Sequence, residues 1–446
     1  MSPTSQIKAK SAGERTTQRA FMAAWLLCAV FYFVQYALRS APSVMVSEMS
    51  SAWSLNALGL SSLLGMYYYT YAAFAIVAGA SLDRYGAKWT IPAGIACLAV
   101  GTVMFGWGSV TEAEIGRLLQ GAGSAFSFVG AVYLAARGFS ARYLATAVGA
   151  TQMFGMLGGA AGQFVVSPLV HGVVSWQGFW LWSGAVTAVL AVVTLVATPT
   201  EPEATPVGKG TILQMFAPYR EVLSNPQSYV CGLCAGLLFL PTTIGDMIWG
   251  VPMLQQGFGV EHATAVNRAA MVPLGWVFGA PILGYVADRM GRRKPVLIVS
   301  AFAMLGLATL IIYGPVGLMP GYVLGLLFGF ASGAAMIPYA VIKEVNPDRI
   351  KGSATGAMNF LVFTLSAVAA PVAGWLLQRI SGSAPMNLHD FQQWGLVGLA
   401  GIAVGIVLAF FMKETGSAVR KPAAAVAPAN SQNPAVPPAL LDQHAA

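Results

Sequence analysis

Four side chains in the first apolar run are the earliest in this sequence whose types and spacing suggest chemistry. Tyr32, Gln35, Tyr36 and Arg39 recur at intervals that place them on one face of a helix. A guanidinium held among apolar residues is a planar fork of donors suited to a carboxylate or a phosphate. Thr242, Asp246 and Trp249 form a second such face much further along the chain. Four roles are open to the Asp246 carboxylate: a protonation site, a partner for Arg39, a ligand for an ammonium, or a structural acid between Pro241 and Pro252. Further polar or aromatic stripes comprise Tyr67 and Tyr71; Arg117, Gln120 and Ser124; Gln152, Met156 and Gln163; and Asn359, Phe363 and Ser366. Gln152 and Asn359 each follow a glycine, Gly149 and Gly356, at the same spacing, which hints at an internal repeat.

Chemistry of other kinds has little support. The chain has no G-x-S-x-G, no H-E-x-x-H and no G-x-x-x-x-G-K-[ST], so neither hydrolysis nor ATP-driven work is expected of it. Its four histidines (His171, His262, His389, His444) are far apart in sequence and fall in connections or in the tail. Cys28, Cys97, Cys231 and Cys234 all lie in apolar segments, and the C-x-x-C at Cys231 reads as helix packing rather than as a metal or redox pair. No metal, cofactor or catalytic residue is expected.

The elements that must position these stripes follow from composition. Apolar side chains make up 57% of the 446 residues and charged ones 9%, with a mean hydropathy of +0.67. Soluble domains carry about a quarter charged residues, so this chain requires lipid around it. A span takes roughly 20 mostly apolar residues, with every backbone hydrogen bond made inside its own helix. Runs of that kind lie near 20–46, 57–82, 89–108, 112–136, 142–170, 176–198, 227–255, 264–287, 295–313, 318–342, 353–380 and 391–412. The expected architecture is an all-α integral membrane protein of twelve transmembrane helices in two pseudo-symmetric six-helix halves, 20–198 and 227–412. A polar segment, 1–19, precedes them, a linker, 199–226, joins them, and an Ala/Pro-rich tail, 413–446, is expected to be disordered.

Orientation follows from charge. All 24 Lys and Arg except Arg39, Arg117, Arg268 and Arg379 fall on one side of a twelve-span layout. That bias puts both termini in the cytoplasm. The net charge of +8 is then topology and not nucleic-acid binding. Arg39 comes late in helix 1, so an arginine snorkelling to the interface competes with the anion-binding reading. Short loops and the first run, which is too long for a signal-peptide core, point to a bacterial inner membrane. The chain is expected to act as a monomer.

One loop occurs twice. Gly79-x-x-x-Asp83-Arg84-x-Gly86-Ala87-Lys88 joins helices 2 and 3, and Gly284-x-x-x-Asp288-Arg289-x-Gly291-Arg292-Arg293 joins helices 8 and 9. The first Gly would let two helices approach, the second would permit the tight turn, and the Asp would cap a helix N-terminus. This loop resembles the major facilitator motif, in both halves and in register. Helix 4, with Arg117-x-x-Gln120-Gly121-x-Gly123-x-Ala125, is similar to that family's helix-4 signature. Helix 5 carries Gly149, Gly155, Gly158, Gly159 and Gly162 but lacks the Gly-Pro of the antiporter signature.

The resemblance covers about 20–412. It implies parallel repeats, a solute site between the halves near the midplane, and alternating access without ATP. Tyr36-Ala-Leu-Arg39-Ser-Ala-Pro-Ser-Val resembles helix 1 of organic-anion carriers and, over a shorter stretch, of dipeptide carriers. Leu38 and Ser124 stand where proton-coupled relatives have acids, which removes their coupling mechanism from the expectation. Tyr32, Gln35, Tyr36, Arg39, Tyr67, Tyr71, Gln152, Asp246, Trp249 and Asn359 are the expected solute contacts. Asp246, Arg117, Asp83, Arg84, Asp288 and Arg289 are the expected coupling or state-stabilising groups. The expected cargo is a small anionic or zwitterionic metabolite (an organic acid, sugar acid, amino acid or short peptide), with protons as a second cargo that Asp246 permits. Efflux of lipophilic or cationic compounds and a non-transporting receptor on the same scaffold are the alternatives.

Overall fold

The computed structural model describes residues 3–139, 141–200, 216–315, 320–347, 350–382, 385–416 and 418–419, without the side chains of 3–17, 83–84, 141–146 and 351–352. The expectations for the remainder of the linker and tail, and for the Asp83 and Arg84 side chains, lie outside the described residues. Twelve helices are long and apolar enough to cross a membrane. In chain order they are α1 (Gln18–Val44), α2 (Ala57–Leu82), α3 (Ala87–Trp107), α4 (Val110–Gly138), α5 (Ala147–Gly172), α6 (Trp176–Ala197), α7 (Pro226–Asp246), α8 (His262–Met290), α9 (Lys294–Tyr313), α10 (Gly321–Glu344), α11 (Ser353–Ser381) and α12 (Leu388–Phe411). Each matches one of the expected apolar runs.

Two pairs of equivalent helices are equally deep in the bundle. The spans of α6 and α12 are each 28% buried and those of α4 and α10 each 67% buried, so α6 and α12 face lipid while α4 and α10 are enclosed. Helix starts are fixed by local chemistry. Asn56 caps α2 by accepting from the Gly59 backbone N–H at 2.8 Å, and Ser109 with Glu112 forms a capping box on α4.

The helix-7 run, expected to be continuous over 227–255, is interrupted. Regular α-helix ends at Leu240, and Pro241–Asp246 winds as a π-turn, as does Met253–Gly257. Proline lacks the N–H and clashes with the preceding turn, and a π-turn absorbs the mismatch.

The repeated loop behaves partly as expected. Gly86 and Gly291 have φ of 71° and 65°, so each turn requires its second glycine. The first glycine has a different setting. A Cβ on Gly284 would meet nothing within 4 Å, and one on Gly79 would meet only Tyr219 Oη at 3.4 Å. Close helix approach is therefore not what these positions provide here. Asp288 pairs with Arg293 instead of capping, and Arg293 also reaches Glu344 at 2.9 Å. Glu414 supplies the cap, accepting from the backbone N–H groups of Arg293 and Lys294. Arg289 is exposed.

The linker adds a short helix, Ala217–Ser224. Its Tyr219 hydroxyl donates to the Ile76 carbonyl at 3.5 Å and faces Gly356, so the phenol wedges between α2 and α11 at the end of the bundle nearer the linker. That end is termed proximal below, and the end carrying the α1–α2 connection distal.

Candidate solute site

The central site is built on α1, which lies close against α5 because α5 presents glycines to it. A Cβ at Gly155 would fall 2.4 Å from the Tyr32 ring, at Gly158 2.1 Å from the Phe33 carbonyl, and at Gly162 2.1 Å from Ser40 Oγ. The helix-5 glycines are thus the seat of α1. Ser40 reinforces the contact by donating to the Gly159 carbonyl at 2.7 Å. This packing turns Tyr32, Gln35, Tyr36 and Arg39 toward the interior.

Arg39 does not snorkel. It is 2% exposed, with its guanidinium 3.6 Å from the centroid of the Tyr36 ring and 5.8 Å from that of Phe363. None of its three guanidinium nitrogens has a hydrogen-bond partner. Gln35 is fully buried one turn earlier. Its Oε1 accepts from Tyr67 Oη at 2.6 Å, which leaves its Nε2 without an acceptor. Four donor nitrogens on one face of α1 therefore lack an acceptor. Buried donors are rarely left so, because each costs free energy without a partner. An anion with several acceptor atoms has the chemistry to pair with such a group of donors.

Aromatic rings wall the space beside Arg39. Tyr71 stacks on Tyr67 at 5.7 Å and meets Phe363 edge-on at 4.4 Å. A cleft of about 20 Å³ is bounded by Tyr32, Tyr36, Tyr71, Phe128, Gln152, Phe239, Trp276, Tyr339, Asn359 and Phe363. Each half contributes one carboxamide held by a tyrosine: Tyr32 donates to Gln152 Oε1 at 3.2 Å and Tyr339 to Asn359 Oδ1 at 2.9 Å. Sequence reasoning singled out both amides through their matching glycines. It missed Phe128, Phe239, Trp276 and Tyr339, because an aromatic in an apolar span reads the same whether it faces cavity or lipid.

Five expected contacts are absent from the cleft lining: Gln35, Arg39 and Tyr67 lie next to its walls, Arg39 against Tyr36 and Phe363, whereas Trp249 and Asp246 lie elsewhere. Trp249 is absent from the cleft lining, and its indole N–H donates to Ser61 Oγ at 3.0 Å, joining α2 to the distal extension of α7. Asp246 accepts from Gln163 Nε2 at 3.3 Å. Among the described residues it forms no ion pair with Arg39, so that partnership is not made in this conformation. Both contacts bridge the halves at the distal end. Tyr68 does the same by donating to the Thr243 carbonyl at 3.2 Å.

Two of the histidines, far apart in sequence, form a close pair in space. His171 and His262 stack across the halves with centroids 4.4 Å apart, His262 on Ser167 Oγ at 3.0 Å and His171 on Glu48 at 2.9 Å. Together these contacts seal the distal side.

Arg117 is as buried as Arg39 but is partnered. It donates to Gln120 Oε1 at 2.7 Å and to the Leu64 carbonyl at 3.3 Å, tying α4 to α2. The small residues after it allow that approach, since a Cβ on Gly121 would lie 2.0 Å from the Tyr67 carbonyl. The contrast between the two arginines is the main electrostatic feature of the site: one ties helices together, and the other has free donors.

Comparison with known proteins agrees with this architecture. The chain is 25% identical over 417 residues to the membrane sensor protein UhpC of Salmonella typhimurium, covering 86% of this chain and 88% of that one. It is 44% identical over 174 residues to a gallate transporter of Pseudomonas putida, covering 35% of this chain and 37% of that one. Its fold superimposes on the crystal structure of a bacterial homolog of the human lysosomal transporter Spinster, in an inward-facing and unoccupied conformation. That match has a TM-score of 0.70 at 14% identity and covers 88% of this chain and 97% of that one. Residues 28–371 match the family described as Major Facilitator Superfamily, and with twelve spans and the repeated loop in both halves the chain belongs to that family.

Proposed function

We propose that this protein is a secondary transporter of a small organic anion, whose carboxylate is held by Arg39 and Gln35 while its body lies among the aromatic walls. The observation that carries the reading is the group of four buried donors without an acceptor on one face of α1. A carboxylate fits a guanidinium fork through two parallel charge-assisted hydrogen bonds. Tyr36, Tyr71 and Phe363 offer flat faces to a planar solute, and Gln152 and Asn359 offer amides to its hydroxyl or carbonyl groups. The similarity to a gallate transporter supports aromatic acids as the first class to try, ahead of sugar acids, amino acids and short peptides. The charge bias supports both termini in the cytoplasm of a bacterial inner membrane, an orientation in which the distal side faces outward. Proton coupling, if present, would use Asp246, whose contact with Gln163 breaks when the distal side opens.

A second reading has specific support. The relatives matched over most of both chains include a sensor, so a receptor that binds the anion without moving it is the competing function. A thermal-shift screen of purified protein against aromatic acids, sugar acids, amino acids, dipeptides and lipophilic cations tests the binding class. Stabilisation by acids that is lost in Arg39→Gln supports the proposal. Stabilisation by cations alone refutes it and directs attention to Asp246.

A further inference from the structure

A second cavity, of about 260 Å³, lies within the C-terminal half. Its lining is almost wholly aliphatic, with Leu240, Ile311, Leu324 and Leu376 among its walls. Val372 on α11 and Val397 on α12 also line it, and both are about half exposed on the outer surface of the bundle. The cavity therefore reaches the lipid-facing surface between α11 and α12. Gly398 also lines the cavity, and a Cβ there would extend into open space. Water does not suit such a space, since an ordered water needs two to four polar partners.

Only two charged side chains line the cavity, Asp246 and Arg268. They have opposite sign, yet among the described residues no ion pair joins them. Arg268 lies over Gly321 with its buried Nε lacking any acceptor. Asp246 has one oxygen on Gln163, while among the described residues no side chain donates to Oδ1. An aliphatic space with one base and one acid is the complement of an aliphatic molecule carrying one anionic and one cationic group. Charges left in such surroundings call for partners.

We propose that this cavity is a lipid site taking an acyl chain of phosphatidylethanolamine from the distal leaflet, with the phosphate on Arg268 and the primary ammonium on Asp246. A phosphatidylglycerol head has hydroxyls but no cation to offer Asp246, and charge-assisted hydrogen bonds are the stronger ones. A choline head cannot donate a hydrogen bond to the carboxylate. The site is separate from the Arg39 cleft and does not depend on the identity of the transported solute.

The test uses delipidated, purified full-length protein in detergent, titrated with dioleoyl phosphatidylethanolamine, phosphatidylglycerol and phosphatidylcholine while the melting temperature is followed. Native mass spectrometry counts the lipids bound. The ethanolamine lipid should bind one per chain and raise the melting temperature at least twice as far as the other two. Gly398→Leu, whose side chain starts in open space at the cavity wall, should remove that difference. Arg268→Gln should raise the half-saturating concentration at least tenfold. Elution as a single species with an unchanged lipid-free melting temperature confirms that each variant is folded. Should Gly398→Leu fail that check, Arg268→Gln decides alone. Equal shifts from all three lipids, or an ethanolamine response unchanged in a folded variant, would overturn the proposal.

Discussion

Replacing Arg39 by Gln separates a binding arginine from a structural one, because the two roles predict opposite effects on the empty protein. In the structure the Arg39 guanidinium is buried and has no acceptor. Its recorded favourable contacts are with the faces of Tyr36 and Phe363, worth about 2 kcal/mol when desolvated. Burying a cation without a counter-charge costs several kcal/mol. The empty Arg39→Gln protein should therefore melt no lower than wild type. The solute complex behaves the other way. Truncating one member of a buried charge pair costs about 2–5 kcal/mol, which weakens binding roughly thirty- to several-thousand-fold at about 1.4 kcal/mol per decade. At a solute concentration near a hundred times the wild-type Kd, the stabilisation of about 2.7 kcal/mol should fall to about 0.4 kcal/mol once Kd rises a hundredfold. Melting curves of both proteins with and without the acid measure all four quantities. A large loss of stability in the empty variant, with the solute shift intact, would refute the assignment.

Further predictions concern the frame around the site. Arg117→Gln should lower stability with or without solute, because Leu64 and Gln120 lose a buried donor at about 1–3 kcal/mol per orphaned group; a solute-specific effect in melting curves would contradict this. Gly158→Ala should cost about 1–3 kcal/mol through its clash with the Phe33 carbonyl. Gly149→Ala, with nothing within 4 Å, should be neutral or stabilising by up to about 1 kcal/mol. Equal melting temperatures for this pair would contradict the close α1–α5 seat. Trp249→Phe removes the donor to Ser61 and should increase labelling of a cysteine placed at Gly159 by a membrane-impermeant reagent; unchanged labelling would show that the contact does not hold the distal side shut.

Much of this was legible in the sequence because lipid makes polar residues conspicuous. The twelve spans follow from apolar runs alone, and the turn glycines Gly86 and Gly291 announce themselves by matching position. The α1 stripe was readable for the same reason, since four polar or aromatic groups at helical spacing stand out in an apolar run. What the sequence conceals is partnership. Nothing in their types distinguishes Arg39 from Arg117, yet two nitrogens of Arg117 donate to Gln120 and Leu64 while none of Arg39's has an acceptor. Nor does the sequence reveal that Trp249 joins Ser61 instead of the cleft, or that His171 stacks on His262. Those pairings depend on how the halves meet, and residues distant in the chain carry no local signal of it. The π-turn at Pro241 was half visible, because proline marks the break but not the form it takes.

The central claim is that Arg39 holds the carboxylate of a solute that crosses the membrane. Uptake of a radiolabelled acid, chosen as the one that stabilises the protein most, should be measured in proteoliposomes containing wild type or Arg39→Gln at matched insertion. The account predicts saturable uptake by wild type and none above background by the variant. Full uptake by correctly inserted Arg39→Gln would contradict the site, and binding without uptake by wild type would contradict transport and favour a sensor.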